Sequence, residues 1–430
     1  MERVLEGVKV LEVSAWAFVP SAGAVLADWG AEVVKVEPPD GDPMRGLVTG
    51  GITGGPSFPW EIWNRGKRSI SLDLRHPDGR ELVLRLAETA DVFLTSYLAP
   101  TRCKLGIDVD DVRARHPGIV YACGTGHGPA GDEADKGGYD AISFWARGGL
   151  AASTTPPGTS RPVGQPAGAF GDSLSGMALA GGVAAALVRR ARTGEGAVVD
   201  VSLLGTALWC MQMSIAGAAV LTAAAAAAAP TEPDDPTGET DGSGGSGPPN
   251  GSGSSSPQAT NPLANPLVNT YRTADRRWLA LCMLQRDVYW DGLCEAIGRP
   301  DLVTDPRFAD PEARSRHTAE AVAELDATFA TRTLAEWREA LATQPGQWDV
   351  VKTVLELPDD PQARANGYVQ PVAYEDGVQL PMVSSPAQID RTPPPLGRAP
   401  GFNDDADDLL RAAGLSDDEI LRHRIAGALT

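Results

Sequence analysis

Short β-branched runs alternate with helical segments through the first half of the chain, and this alternation limits the fold more than any other feature. GVKVLEVS (7–14), AEVVKVE (31–37), RSISLDL (68–74), ADVFLTS (90–96) and GIVYACG (118–124) read as strands. Between them SAGAVLADWG (21–30) reads as a helix closed by Gly30, and residues 78–89 and 109–115 have helical spacing or composition. Strands alternating with helices at this pace indicate βαβ units, and therefore an α/β fold with a parallel sheet covered on both faces. A long helix is predicted over 173–192, rich in Ala, Leu, Val and Met. It ends in Arg189, Arg190 and Arg192 before Gly194, the cation-then-glycine finish of a helix C-terminus. AVVDVSLL (197–204) reads as a further strand.

The composition then breaks. Residues 222–260 are an alanine run followed by Pro, Asp, Gly and Ser, a composition that buries no surface. At 430 residues the chain is too long for one ordinary core. The expected division is a large domain over 1–221, a flexible linker over 222–262, a smaller domain over 263–355, and a return segment over 356–430. Within the smaller domain RRWLALCML is strand-like and LAEWREALATQ (334–344) is amphipathic and helical.

A formal net charge of −19 argues against a nucleic-acid partner, which needs a broad basic surface. A small phosphorylated ligand remains compatible, because basic residues concentrate in the first 105 positions: Lys35, Arg45, Arg65, Lys67, Arg68, Arg75, Arg80, Arg102 and Lys104. A solvated surface is the blander reading of the same concentration. No run of 18 large apolar residues occurs, so no membrane span is expected. The first residues lack a signal-type apolar core, and five scattered cysteines suit a reducing cytosol, so a cytoplasmic location is expected. Neither Cys nor His clusters, and no metal site is expected.

Two motifs bear on chemistry. GTGHGPAG (124–131) contains a GxGxxG spacing after a strand, but Pro129 and a polar run follow where a dinucleotide site needs an apolar helix. It reads as a structural loop. Asp172 opens the long helix after Gly- and Pro-rich sequence. One reading makes it an N-cap. The other makes it a nucleophilic carboxylate, kept ionised by the helix N-terminus, whose N–H groups can hold an oxyanion.

Eight segments occur in a fixed order: LEGVKVLEVSAWAFVPSAGAVLADWGAEVVKVEPPDGDPMR, NRGKRSISLDL (64–74), DVFLTSYLAPTRCKLGI (91–107), IVYACGTGHGP (119–129), GGYDAISFWARGG (137–149), FGDSLSG (170–176), GEGAVVDVSLL (194–204) and TDPRFAD (304–310). In these segments the sequence resembles the class III CoA-transferases, the family of formyl-CoA and carnitine CoA-transferases and α-methylacyl-CoA racemases. The resemblance implies a Rossmann-like large domain made from both ends of the chain, a small inserted α+β domain, and an interlocked homodimer. It also implies that Asp172 is the nucleophile and that coenzyme A lies near Ala17, Phe18, Leu72, Arg75, Ser96, Tyr97 and Lys104, with Tyr139 beside the acyl end. Coenzyme A and acyl-CoA would be substrates, with a carboxylic acid as the other partner and no resident cofactor.

There are departures from the family pattern. Formyl-CoA transferases have Gln-Ala-Gly-Pro where this chain has Ala17-Phe18-Val19-Pro20, and often Asn-Phe where it has Ser96-Tyr97. No four-glycine loop occurs in the small domain. These differences suggest a larger, more apolar acyl group than formate or oxalate. The expected activity is CoA transfer through an aspartyl anhydride and an aspartyl-CoA thioester. The alternatives are an α-methylacyl-CoA racemase on the same fold or a non-catalytic CoA-binding protein. Racemases of the family carry Gly-His-Asp where this chain has Gly138-Tyr139-Asp140, and His127 is the nearest substitute in sequence.

Overall fold

A computed structural model describes residues 3–47, 57–228, 265–374 and 377–430. The chain divides into two compact units, one of residues 1–215 with 358–430 and one of residues 216–357. The larger unit is built on six strands: β1 (Lys9–Val13), β2 (Glu32–Glu37), β3 (Arg68–Ser71), β4 (Val92–Thr95), β5 (Val120–Thr125) and β6 (Val198–Ser202). They pair in the order β3-β2-β1-β4-β5-β6. Every pairing is parallel. In this order the chain runs outward in one direction from β1 and in the other from β4, which opens a crevice at the carboxyl ends of those two strands. The last strand is shorter than predicted. Ser202 Oγ accepts from Gly205 N and starts a helix, which takes Leu203 and Leu204 out of the strand.

Residue alternation along each strand divides two cores. On one face Val10, Val33, Val92, Leu94, Val120 and Ala122 pack beneath two helices, α1 (Phe18–Asp28) and α2 (Phe170–Thr193). On the other, Leu11, Val36, Ile70, Phe93 and Tyr121 meet Leu82 and Val83, and then Leu409, Leu410, Leu415 and Ile420 from the far end of the chain. Leu72 and Leu429 form an isolated antiparallel bridge. The two helices of the first face approach closely at Gly176, where a Cβ would stand 1.7 Å from Ser21 Oγ and 2.9 Å from Phe18 O. Gly176→Ala is therefore expected to destabilise the protein by about 1–3 kcal/mol, the usual consequence of overpacking, as read by the urea midpoint at unchanged m-value.

Two expectations about the helices need correction. The long helix begins at Phe170 rather than at 173. By length and composition alone it could cross a membrane, since it has 24 residues and an 18-residue window of mean hydropathy 1.3. Its Ala, Gly and Leu content reaches that level without a run of large apolar residues, and in the fold Leu179, Ala180 and Val183 lie buried against the sheet. After α3 (Leu203–Cys210), α4 (Gln212–Ala228) continues as helix through the start of the segment expected to be linker. Alanine has the highest helix propensity of any residue, which explains the extension. Residues 229–264, most of that predicted linker, lie outside the described residues.

The smaller unit holds an antiparallel sheet of β7 (Val268–Arg272), β8 (Trp278–Cys282) and β9 (Trp348–Val350). Its core is aromatic, with Tyr271 stacked on Phe329 and Phe329 edge-on to Trp337. The predicted helix there spans Leu334–Ala340, closed at its start by a Thr333–Glu336 capping box.

Candidate active site

The crevice between β1 and β4 holds a cavity of about 260 Å³. Each wall comes from a strand end: Trp16 and Phe18 follow β1, Ser96, Tyr97 and Leu98 follow β4, Gly124 and Thr125 end β5, and Leu203 follows β6. The loop over 137–139 closes one side with Tyr139, and Asp172 enters from the first turn of α2.

Asp172 is not the N-cap of α2, which corrects one of the two sequence readings. The cap position is Ala169, a non-glycine residue in the left-handed region at φ 57°, with no side-chain cap. The capping carboxylate is supplied from elsewhere: Asp140 Oδ1 accepts from Gly171 N at 3.0 Å. Asp140 is delivered by a π-helical turn, Asp140–Ala146, a form that often marks functional sites. Gly171 has to be glycine, since a Cβ there would meet the Phe144 ring at 2.3 Å and Asp140 Oδ1 at 2.5 Å. The backbone of Asp172 is fixed by Ser21 Oγ, which donates to Asp172 O at 3.1 Å. Among the described residues no hydrogen bond reaches the Asp172 carboxylate, which is left facing the cavity with its oxygens available.

The helix N-terminus does not dominate its charge. Burial, reinforced by the neighbouring Asp140 carboxylate, pushes Asp172 up to about 7. Two first-turn N–H groups that could offset this are engaged elsewhere: Gly171 N serves Asp140 and Ser173 N binds Ala169 O. A group raised to about 7 is ionised above that pH and protonated below it. We expect kcat/KM for an acyl-CoA to fall as pH drops through about 7, and Asp140→Asn to move that inflection to lower pH. A pH-rate profile of both proteins checks this.

A second cavity, of about 230 Å³, adjoins the carboxyl ends of β1, β2 and β3 and is lined by Pro38, Leu72, Arg75 and Leu105, with Tyr97. Tyr97 lines both spaces. The structure thus brings Phe18, Ser96, Tyr97, Tyr139 and Asp172 to one cavity, and Leu72 and Arg75 to its neighbour. Ala17 and Lys104 line neither: Ala17 is buried against Met44 and Trp60, and Lys104 is exposed. His127 is also outside both linings, with Nε2 3.3 Å from Ser143 Oγ. Among the described residues no group of three His, Cys, Asp or Glu could hold a metal ion.

The basic residues read as a solvated surface include several that are not. Lys35 and Lys67 lie buried behind the cavity with Glu12 and Asp42. Lys35 Nζ is 3.1 Å from Glu12 Oε1 and 2.9 Å from Asp42 Oδ2, and Lys67 Nζ is 2.7 Å from Glu12 Oε2. Two cations and two carboxylates balance. Against the cost of burial, the two ammonium groups hold Glu12 below the usual carboxylate range. Burial pushes Lys67 down to about 8, opposed by Glu12. Arg65 is buried too, on Asp28 at 2.7 Å. The cluster supports the site through Asp42, whose Oδ1 accepts from Trp16 N at 3.2 Å; beside it Ser96 Oγ accepts from Ala15 N at 3.0 Å. Sequence reasoning missed Asp140, Trp16 and this cluster.

The family model of CoA-transferase family III matches residues 5–406. The chain belongs to that family. The family III chain is 31% identical to (R)-2-hydroxy-4-methylpentanoate CoA-transferase of Clostridioides difficile, over 90% of this chain and 89% of that one. It is 33% identical to succinyl-CoA–D-citramalate CoA-transferase of Chloroflexus aurantiacus, over 92% of both. In structure it is similar to a CAIB/BAIF family protein from Brucella suis, with a TM-score of 0.74 and 26% identity, covering 96% of this chain and 100% of that one. It is thus an enzyme of the CoA-transferase class, acting on CoA thioesters and carboxylic acids. The named relatives act on different acids.

Proposed function

We propose that this CoA-transferase works through covalent catalysis at Asp172. An Asp172 oxygen attacks the thioester carbonyl, the C–S bond breaks, and CoA thiolate leaves a mixed anhydride. The thiolate attacks the Asp172 acyl carbon, expels the donor carboxylate and leaves an aspartyl-CoA thioester. An acceptor carboxylate then runs the steps in reverse, so that activation is conserved from one acid to the other. The observation that carries this reading is the free Asp172 carboxylate in the cavity while Asp140 does the capping. Coenzyme A is taken to run from the Leu72–Arg75 cavity past Tyr97 to Asp172, since the two spaces share that tyrosine. The racemase reading has no support at the reacting end, where a phenol replaces the family's imidazole and His127 lies outside the lining. The test is trapping: protein incubated with acyl-CoA and then hydroxylamine should carry one hydroxamate, on Asp172, by peptide mass spectrometry. An unmodified Asp172 under conditions of active exchange overturns the mechanism.

The interlocked homodimer belongs to the same proposal. Its support is an apolar surface on α3 and the start of α4, where Trp209 and Met213 are 71% and 70% exposed and Leu208 and Ile215 are exposed beside them. Sedimentation at nanomolar concentration should show dimer, and folded monomer would contradict it.

A further inference from the structure

We propose that the cavity selects a monocarboxylic acyl group with a bulky branched or aromatic tail, and that Trp16 is the specificity-determining residue. The inference rests on the acyl-transfer reading of Asp172 and adds the class of acid. Trp16 has φ 70°, in the left-handed region that large side chains avoid. Such a conformation persists only where the surroundings over-determine it, and it points to a functional demand on the side chain. Here two bonds hold the turn: Trp16 N to Asp42 Oδ1, and Ala15 N to Ser96 Oγ. Asp42 is in turn fixed by Lys35 at 2.9 Å within the buried ion cluster.

The turn presents the indole to the cavity holding Asp172, where it meets Tyr139 edge to face, with centroids 5.8 Å apart and planes at 85°. Neither ring is packed away: Trp16 is 38% and Tyr139 60% exposed. Phe18, Leu98 and Leu203 continue the apolar wall. Among the described lining residues there is no Lys, Arg or His, and Asp172 is the one carboxylate. A second carboxylate on the substrate would therefore lose its water without gaining a cation, beside a like charge. A branched or aryl tail loses nothing and gains two ring faces.

The test uses 3-phenylpropanoate, 4-methylpentanoate, acetate and succinate as competing acceptors in full-length protein. Wild type should favour the first two by about tenfold or more in kcat/KM, the discrimination an apolar pocket of this kind supplies. Trp16→Gly, whose backbone is at ease at positive φ and so folds, should bring the ratio to within about twofold, while Trp16→Phe keeps most of it. Equal use of acetate, preference for succinate, or a ratio unchanged in Trp16→Gly overturns the inference. Exchange that proceeds through a trapped Asp172 without this preference overturns only the choice of acid. If Asp172 is never trapped, the transfer mechanism fails, and calorimetric binding of 3-phenylpropanoyl-CoA against acetyl-CoA to Asp172→Asn protein still decides the tail preference. Equal affinities there count against it.

Discussion

Asp172→Asn should lower kcat for CoA exchange by about 10³-fold or more while leaving the protein folded. The amide keeps the shape of the carboxylate but cannot attack a thioester, and no second carboxylate lines the described cavity. Stability supplies the control. A carboxyl raised to about 7 in the folded protein is ionised at lower pH when unfolded. Its contribution to stability is therefore full below the ordinary carboxylate range and is lost as pH rises through about 7. Relative to wild type, the Asn variant should melt higher at pH 8 than at pH 5. A variant that is inactive and also less stable at pH 8 would mean that the side chain is structural.

Lys35→Met should cost about 3–5 kcal/mol, because it removes one partner from a buried ion cluster and leaves carboxylates without compensation. Glu12 and Asp42 both point at Lys35, and Lys67 alone cannot neutralise them. The deficit should shrink as pH falls toward 5, because wild type draws its stability from an ionised Glu12 that Lys35 helps to hold below the usual carboxylate range, and the variant lacks that hold. Urea titrations at pH 5 and pH 7.5 separate the two curves. Equal losses at both pH values would mean that packing of the Lys35 stem, rather than its charge, matters.

The strands of the large unit were legible because buried parallel strands are nearly continuous β-branched runs: β1, β2, β3 and β4 lie inside the predicted segments, and β5 runs one residue past its own. Asp172 was legible because Gly-Asp before an Ala- and Leu-rich helix is a local pattern. Its true neighbourhood was not. Asp140 acts on a residue 31 positions away along the chain, through a bond to Gly171 that no local spacing announces. Lys35 and Lys67 have the composition of a wet surface, and only the pairing of β1 with β2 turns Lys35 inward opposite Glu12. The φ of Trp16 has no compositional sign at all, since the turn looks like any Ser-Ala-Trp-Ala. Local chemistry could be read from the sequence, but electrostatics and strain depend on which strands become neighbours.

The sheet face that receives Leu409, Leu410, Leu415 and Ile420 has a consequence for how the protein is made. All six strands have been synthesised by Ser202, yet the part of the cover on that face that Leu82 and Val83 do not supply is encoded more than 200 residues later, beyond the whole smaller unit. At ordinary translation rates of about 5–20 residues per second, the β3 edge that the Ala406–Ala412 helix packs on lacks that helix for roughly ten seconds or longer. The nascent chain thus carries an open apolar face while the smaller unit is synthesised. Chaperone occupancy should be greatest in that interval, and ribosome stalling between residues 230 and 400 should be more damaging to yield than stalling before β3 or after Ile420.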